Sequence, residues 1–282
     1  MKKLIATSVL LFSAVTPAHA DVAPSIAVID SGAPTSLFPN IVGEYCVVEF
    51  YSCPNGKATM DGPGASNIAP STNSNLTHGS EMMSIINQVN PSAKLVSIRI
   101  IGISNGSPAI YTLNAVKSAL DWVVLNQTKY NIKIVNISQG RIFAGCAVPA
   151  GLAEDIATLK SNGVTVVAAT GNDSNRTAMM SPACVPGVVS VGATDNPDPG
   201  SSGKAWDPTA KPYIARYSNG NAQTTYYTNA RFYTTQPSGV RKFMVGTSNA
   251  SAAMSALLLS NPNPTTTTAS NDWLSGKYVL IS

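Results

Sequence analysis

The feature that most constrains this chain is an alternation. Short β-branched apolar runs at Ile26–Ile29, Leu95–Ile98, Ile132–Val135, Val164–Val167, Val188–Val191 and Phe243–Val245 are spaced along it. Between them lie longer stretches of helical character at about 79–89, 109–127 and 150–162. In the second stretch Leu113, Val116, Leu120 and Val123 recur at helical spacing and share one face. Gly163 stands directly after the third, where a helix C-terminus favours a left-handed residue. A strand that is apolar on both sides must be buried on both faces, and the crossovers of a parallel sheet supply helices to both. The expectation is an α/β fold: a doubly wound, mostly parallel sheet with helices on both faces, in a single domain.

The chain has 282 residues. Lys2 and Lys3 precede the apolar run Leu4–Val15, and Ala18 and Ala20 then sit where a signal peptidase reads small residues. Residues 1–20 are therefore expected to be a signal peptide. The run is too short for a membrane span, and no later stretch is apolar enough for one. Residues 21–282 then form the exported domain, with its core at about 25–260, and a periplasmic or secreted destination follows.

Export leaves 16 Lys and Arg against 14 Asp and Glu, since Lys2 and Lys3 go with the signal (18 − 2 = 16). The basic residues do not cluster, so nucleic-acid binding is not expected. Four cysteines, all after the signal, suit an oxidising compartment and allow three pairings. Cys46 with Cys53 would close a short loop, which leaves Cys146 with Cys184. Neither pair has zinc-ligand spacing, and only one histidine follows residue 20, so a Cys/His metal site is not expected.

In open α/β sheets, ligands bind outside the carboxyl ends of the strands. Polar and glycine residues gather there: Asp30-Ser31-Gly32 after the first run, Ser138-Gln139-Gly140 beyond the third, Thr170-Gly171-Asn172 after the fourth, and Gly246-Thr247-Ser248 after the last. A serine hydroxyl is a poor nucleophile until a base takes its proton and a third group orients that base. The one imidazole available is His78, at the start of the expected 79–89 helix. Singly, each of these residues is ordinary: a helix-start histidine caps locally, Asp-Ser-Gly is a common turn, and Asn172 suits a turn after Gly171.

As a set they are specific. Aspartate, then histidine, then serine, with Gly-Asn between the last two, is the chain order of subtilisin. Ala27–Gly32, His78–Ser80, Val167–Asn172, the Ser181–Pro186 and Val189–Ala193 pair, and Gly246–Ser251 resemble, in order, five segments of the subtilisin-like serine peptidases. The resemblance runs from about residue 25 to 260. It implies an exported serine endopeptidase in which Ser248 attacks the scissile carbonyl, His78 takes the serine proton, and Asp30 orients and balances the imidazole. It further implies an oxyanion hole formed by the Asn172 side-chain amide and the Ser248 backbone N–H. Ser138, Gln139 and Gly140 would pair with substrate backbone, and with Ala168, Ala169, Thr170 and Gly171 they would wall the pocket for the side chain before the cut bond. The substrate is then a protein or peptide, and a monomer is expected.

The chain departs from the family pattern in several places. The nucleophile motif usually continues with Pro, often His, then a small residue and Gly. Here those positions read Ala252, Ala253, Ser255 and Ala256, which puts in question how rigidly the helix presents Ser248. Arg141 stands where a second glycine is common, 196–240 aligns only loosely, and Tyr278–Ile281 reads as an edge strand. The expected signal ends ten residues before Asp30, leaving no room for the pro-domain that secreted relatives usually carry. A separate folding helper or inhibitor would serve in its place. Relatives often bind structural calcium, but no oxygen-ligand cluster marks a site; no cofactor is required by the proposed chemistry and no metal is assigned. The competing reading keeps the fold as a weakly active or inactive peptide-binding protein. An esterase of the α/β-hydrolase type fails on order, because no histidine follows Ser248.

Overall fold

The computed structural model describes residues 23–71, 73–104, 107–108, 111–195 and 212–281. The expected signal segment lies outside them. The first half of the chain forms β1 (Ser25–Asp30), β2 (Ile41–Val47), β3 (Thr59–Asp61), α1 (Ser74–Val89), β4 (Lys94–Arg99), β5 (Ile103–Ser104), β6 (Ser107–Pro108), α2 (Leu113–Asn126) and β7 (Ile132–Ile137). The second half forms α3 (Leu152–Ser161), β8 (Thr165–Ala169), β9 (Val189–Asp195), β10 (Tyr213–Ile214), β11 (Tyr226–Asn229), β12 (Arg231–Thr235), β13 (Arg241–Val245), α4 (Thr247–Ser260), β14 (Thr267–Ser270) and β15 (Ser275–Val279).

Among the described residues, eleven strands make one sheet in the order β10-β14-β15-β11-β9-β8-β7-β1-β4-β2-β3. From β2 to β11 every neighbouring pair is parallel. Alternate side chains of the central strands divide between two cores. Ile26 and Val28 of β1 face α1 and α4 among Met82, Ile86, Ala253 and Met254. Ala27 and Ile29 face α2 and α3 among Val116, Leu120, Ile156 and Leu159. Each fully buried aliphatic side chain contributes about 1.5–3 kcal/mol, so helix layers on both faces hold the sheet together. β1 lies between β4 and β7, and α1 and α2 cover opposite faces there. A crevice opens at the carboxyl end of β1, where Asp30 sits.

Helix boundaries follow capping chemistry. α1 begins at Ser74, earlier than periodicity predicts, because Asn73 caps it by accepting the Asn75 amide at 3.0 Å. Its first turn, Ser74 and Asn75, is polar and carries no apolar signal. His78 therefore lies in the second turn rather than at the helix start. α2 is capped by Thr112, whose hydroxyl accepts the Ala115 amide at 3.1 Å. α3 ends before Gly163, which has φ +76° as a helix-terminating glycine should.

Two expected strand placements are corrected. Phe243–Val245 belongs to β13, which pairs antiparallel with β12 in a separate hairpin. Phe243 and Val245 are each 45% exposed. An apolar triplet fits a half-exposed hairpin strand as well as a sheet core, and the exposed Arg241 and Lys242 that open β13 mark the former. The place beside β9 is filled by β11, whose Tyr- and Thr-rich sequence gives no apolar run. The C-terminal strand is not an edge: β15 lies between β11 and β14. Among the described residues, no helix is long and apolar enough to cross a membrane.

Candidate active site

Asp30 ends β1 and is fully buried. Its Oδ1 accepts the Ser31 backbone amide at 2.7 Å, and Oδ2 lies 2.8 Å from His78 Nδ1. A carboxylate only accepts, so the imidazole proton sits on Nδ1 and Nε2 is left as the acceptor. Burial alone would lower the proton affinity of His78. The charge and hydrogen bond of Asp30, with a smaller contribution from Glu81, outweigh it and hold the imidazole above its ordinary pKa.

The sequence motifs around these two residues are halves of one contact. The Ser31 hydroxyl accepts the Gly79 amide at 2.9 Å and donates to the Leu76 carbonyl at 3.2 Å, stitching α1 to the end of β1. A Cβ on Gly79 would lie 2.5 Å from the Gly32 carbonyl oxygen. Glycine at 79 is thus what lets α1 approach closely enough for His78 to reach Asp30.

Ser248 is the second residue of α4, behind Gly246, whose φ of +155° and ψ of 159° lie in a region open essentially to glycine. The Ser248 hydroxyl donates to the Ser138 carbonyl at 3.2 Å, and the Ser138 hydroxyl donates to the Ser248 carbonyl at 3.2 Å. Ser248 and His78 line one cleft of about 310 Å³, with no hydrogen bond between them. Asn172 lines it too. The Asn172 Oδ1 accepts both the backbone amide and the hydroxyl of Thr247, at 2.9 and 3.0 Å. That assignment leaves its NH2 as the free end. With the helix N-terminus of α4 adjacent, the cleft offers hydrogen-bond donors to an anionic oxygen.

Ser138, Gln139, Gly140 and Gly171 also line the cleft. Ala168 and Ala169 are buried within β8, and Thr170 is buried with its hydroxyl on the Asn219 carbonyl at 2.8 Å; none of the three is among the lining residues. Gln139 directs its side chain at the Asp30–His78 pair. Arg141 pairs through its backbone with Ser181, and its exposed side chain leaves the cleft to Met180 and Tyr111, whose hydroxyl donates to the Gly140 carbonyl. Burial raises the proton affinity of that phenol.

Both disulfides join the cysteines paired by loop length, Cys46–Cys53 and Cys146–Cys184. The second ties the turn after β7 to the loop carrying Met180 and Ser181, beside the cleft wall. Among the described residues, no three His, Cys, Asp or Glu side chains gather to hold a metal.

Sequence reasoning missed Asn219. Fully buried, it accepts the Asp173 and Asn175 amides, each at 2.9 Å, and donates to the Thr170 carbonyl at 3.1 Å and the Asp173 carboxylate at 2.8 Å. It fixes the loop that carries Asn172. The only local signal is Asn219-Gly220 in a stretch that aligns loosely.

A doubly wound parallel sheet with an Asp–His pair at its first strand, and a serine heading a buried helix in the same cleft, defines the architecture of a subtilisin-like hydrolase. The chain belongs to the Subtilase family, whose family model matches residues 21–274. Among solved structures, sphericase is similar with a TM-score of 0.64 and 19% identity, covering 86% of this chain and 78% of that one. A psychrophilic protease gives 0.64 and 17%, covering 86% and 79%. The prenylagaramide maturation protease PagA gives 0.58 and 20%, covering 85% and 74%. At such identities the likeness is one of fold. The cuticle-degrading serine protease of Arthrobotrys oligospora is 27% identical over 151 residues, 53% of this chain. That match spans about a third of the relative's length, 32%.

Proposed function

We propose that this protein is an exported serine endopeptidase that hydrolyses peptide bonds through an acyl-enzyme on Ser248. The observation carrying this reading is the buried Asp30 carboxylate bonded to His78 Nδ1, with His78 Nε2 left as acceptor in the cleft that holds Ser248. His78 takes the serine proton as the hydroxyl attacks, and returns it to the leaving amine. Asp30 holds the tautomer and balances the imidazolium. The Asn172 amide and the Ser248 backbone N–H receive the oxyanion, whose charge develops where donors are already fixed. Water then repeats the sequence on the ester. Ser138 to Gly140 offers backbone to an extended peptide as an added strand. Family membership and a serine-protease relative support a protein substrate. The residues 1–20 pattern and two disulfides support export to a periplasmic or extracellular setting.

One observation favours a second reading, a peptide-binding protein of low activity: the Ser248 hydroxyl is bonded to the Ser138 carbonyl rather than to His78. Catalytic hydrogen bonds often tighten only with substrate bound, so the peptidase reading takes precedence. Labelling of the folded protein with a fluorophosphonate probe decides between them. Ser248 should label, with Ser248→Ala as the blank. A folded protein that stays unlabelled and leaves peptides uncut sinks the peptidase reading in favour of the binding one.

A further inference from the structure

Gln139 occupies a place where its backbone and side chain serve different ends. The backbone runs along the cleft with Ser138 and Gly140. The side chain turns inward, with Nε2 3.2 Å from Asp30 Oδ1 and 3.1 Å from His78 Nδ1. Nδ1 already carries the proton given to Asp30, and two N–H donors cannot bond each other. The amide N–H therefore goes to Oδ1, and the carboxylate itself decides which end of the amide faces in. Oδ1 then accepts from Ser31 and Gln139 and also lies 3.0 Å from Nδ1, while the shorter 2.8 Å contact to Nδ1 falls on Oδ2.

We propose that Gln139 is a positioning residue for His78: by donating to Asp30 Oδ1 it competes with the longer Nδ1–Oδ1 contact, weights the imidazole N–H toward the closer Oδ2 and keeps Nε2 turned toward the cleft. The proposal rests on the assignment of Asp30, His78 and Ser248 as the working triad. It also links the two halves of Gln139, since a peptide docked along Ser138 to Gly140 would press on the residue that steadies the base. The titratable groups around the imidazole are Asp30 from β1, Glu81 from α1, and Tyr111 and Asp173 lining the same cleft. Among these groups Gln139 hydrogen-bonds Asp30, and it also contacts the imidazole itself.

The test pairs kinetics with histidine titration. Gln139→Met keeps the length and removes the donor. Asp30 then holds the imidazole proton harder, so the pKa of His78 should rise by about half a unit to one unit, and kcat should fall about 5–10-fold with KM little changed. Gln139→Glu sets a second carboxylate beside Nδ1. It should raise the same pKa by more than about one unit, with activity recovering as the pH is raised. Titration is read by NMR of 15N-histidine protein carrying Ser248→Ala, with His78→Gln to assign the signal; the chain has only two histidines. A raised KM with kcat and the His78 titration unchanged would make Gln139 a substrate contact and overturn the proposal. Fluorophosphonate labelling separates the two claims. A titration shift in the Ser248→Ala samples, when the folded protein with Ser248 intact stays unlabelled, rejects the peptidase and keeps the coupling, whereas labelling of the Ser248 protein with no shift in the Ser248→Ala samples rejects the role of Gln139.

Discussion

The side-chain oxygen of Asn172 is held by Thr247, through both its backbone amide and its hydroxyl. The residue before the nucleophile thus dictates which end of the asparagine faces the cleft. Thr247 is itself fixed, because its hydroxyl accepts the Gly171 amide at 3.1 Å.

Asn172→Leu should therefore lower kcat by about 10²–10³ with little change in KM, the range known for removing one such donor in subtilisin. Asn172 is exposed, but its loss takes the acceptor from the amide and hydroxyl of the buried Thr247, so a loss of about 1–3 kcal/mol in stability with the fold retained is expected. Thr247→Val removes one of the two bonds to Oδ1 and the acceptor of the Gly171 amide, two hydrogen bonds of about 1 kcal/mol each, and should cost about 10–30-fold. Steady-state kinetics on a peptide substrate, with circular dichroism as the folding control, read both.

The raised pKa of His78 gives activity and stability opposite pH dependences. Catalysis needs the neutral imidazole, so kcat/KM should fall on acidification with a midpoint above the unperturbed value of 6.5. The imidazolium–Asp30 pair stabilises the fold fully below the unfolded pKa, and that contribution is lost as the pH rises through the folded one. In a Ser248→Ala background, the melting temperature lost on His78→Gln should be largest at about pH 5–6.5 and shrink toward alkaline pH. A constant loss across that window would show that the pair contributes no proton-linked stability.

Gly79→Ala sets two effects against each other. Alanine is the better helix former by about 1 kcal/mol. At this position, however, its Cβ would meet the Gly32 backbone oxygen at 2.5 Å and nitrogen at 2.8 Å, and neither is a flexible side chain. Overpacking of this kind costs about 1–3 kcal/mol. The expected result is net destabilisation with a fall in kcat as His78 is lifted from Asp30. A stabilised variant with full activity would mean that α1 has slack at this contact.

Much of this was legible in the chain, for identifiable reasons. Buried parallel strands announce themselves through unbroken apolar runs, and strand-end polar residues gather where β1, β7 and β8 point. Asp30, His78, Ser248 and Asn172 could be proposed because each lies within two residues of a glycine that the geometry requires, Gly32, Gly79, Gly246 and Gly171 in turn. What escaped lacked local signal. β11 is stabilised by its neighbours, not by its own apolarity, and β13 is apolar yet half exposed. Asn219 acts across about fifty residues of chain on the loop after β8, and no spacing rule reaches that far. The inward turn of the Gln139 side chain depends on a carboxylate more than a hundred residues away in sequence.

The altered helix behind Ser248 yields the last prediction. Beside Ala252 and Ala256, which stand where the family pattern has proline and glycine, α4 carries two buried serines, Ser251 and Ser255. Both hydroxyls donate to Asn136 Oδ1, at 2.7 and 3.1 Å. The Asn136 Nδ2 donates to the Ser138 hydroxyl at 3.0 Å, and Ser138 meets Ser248 reciprocally. Asn136 on β7 thus clamps the helix on one side and the cleft segment on the other, with no part of it exposed. Asn136→Ala would strand two buried hydroxyls, each costing about 1–3 kcal/mol, so a loss of roughly 2–6 kcal/mol is expected. Ser255→Ala leaves Ser251 on Oδ1 and should cost about 1 kcal/mol. Urea denaturation in the Ser248→Ala background measures both without self-digestion. If Asn136→Ala is folded and its active-serine counterpart keeps full kcat, the packing of small residues, and not this clamp, presents Ser248.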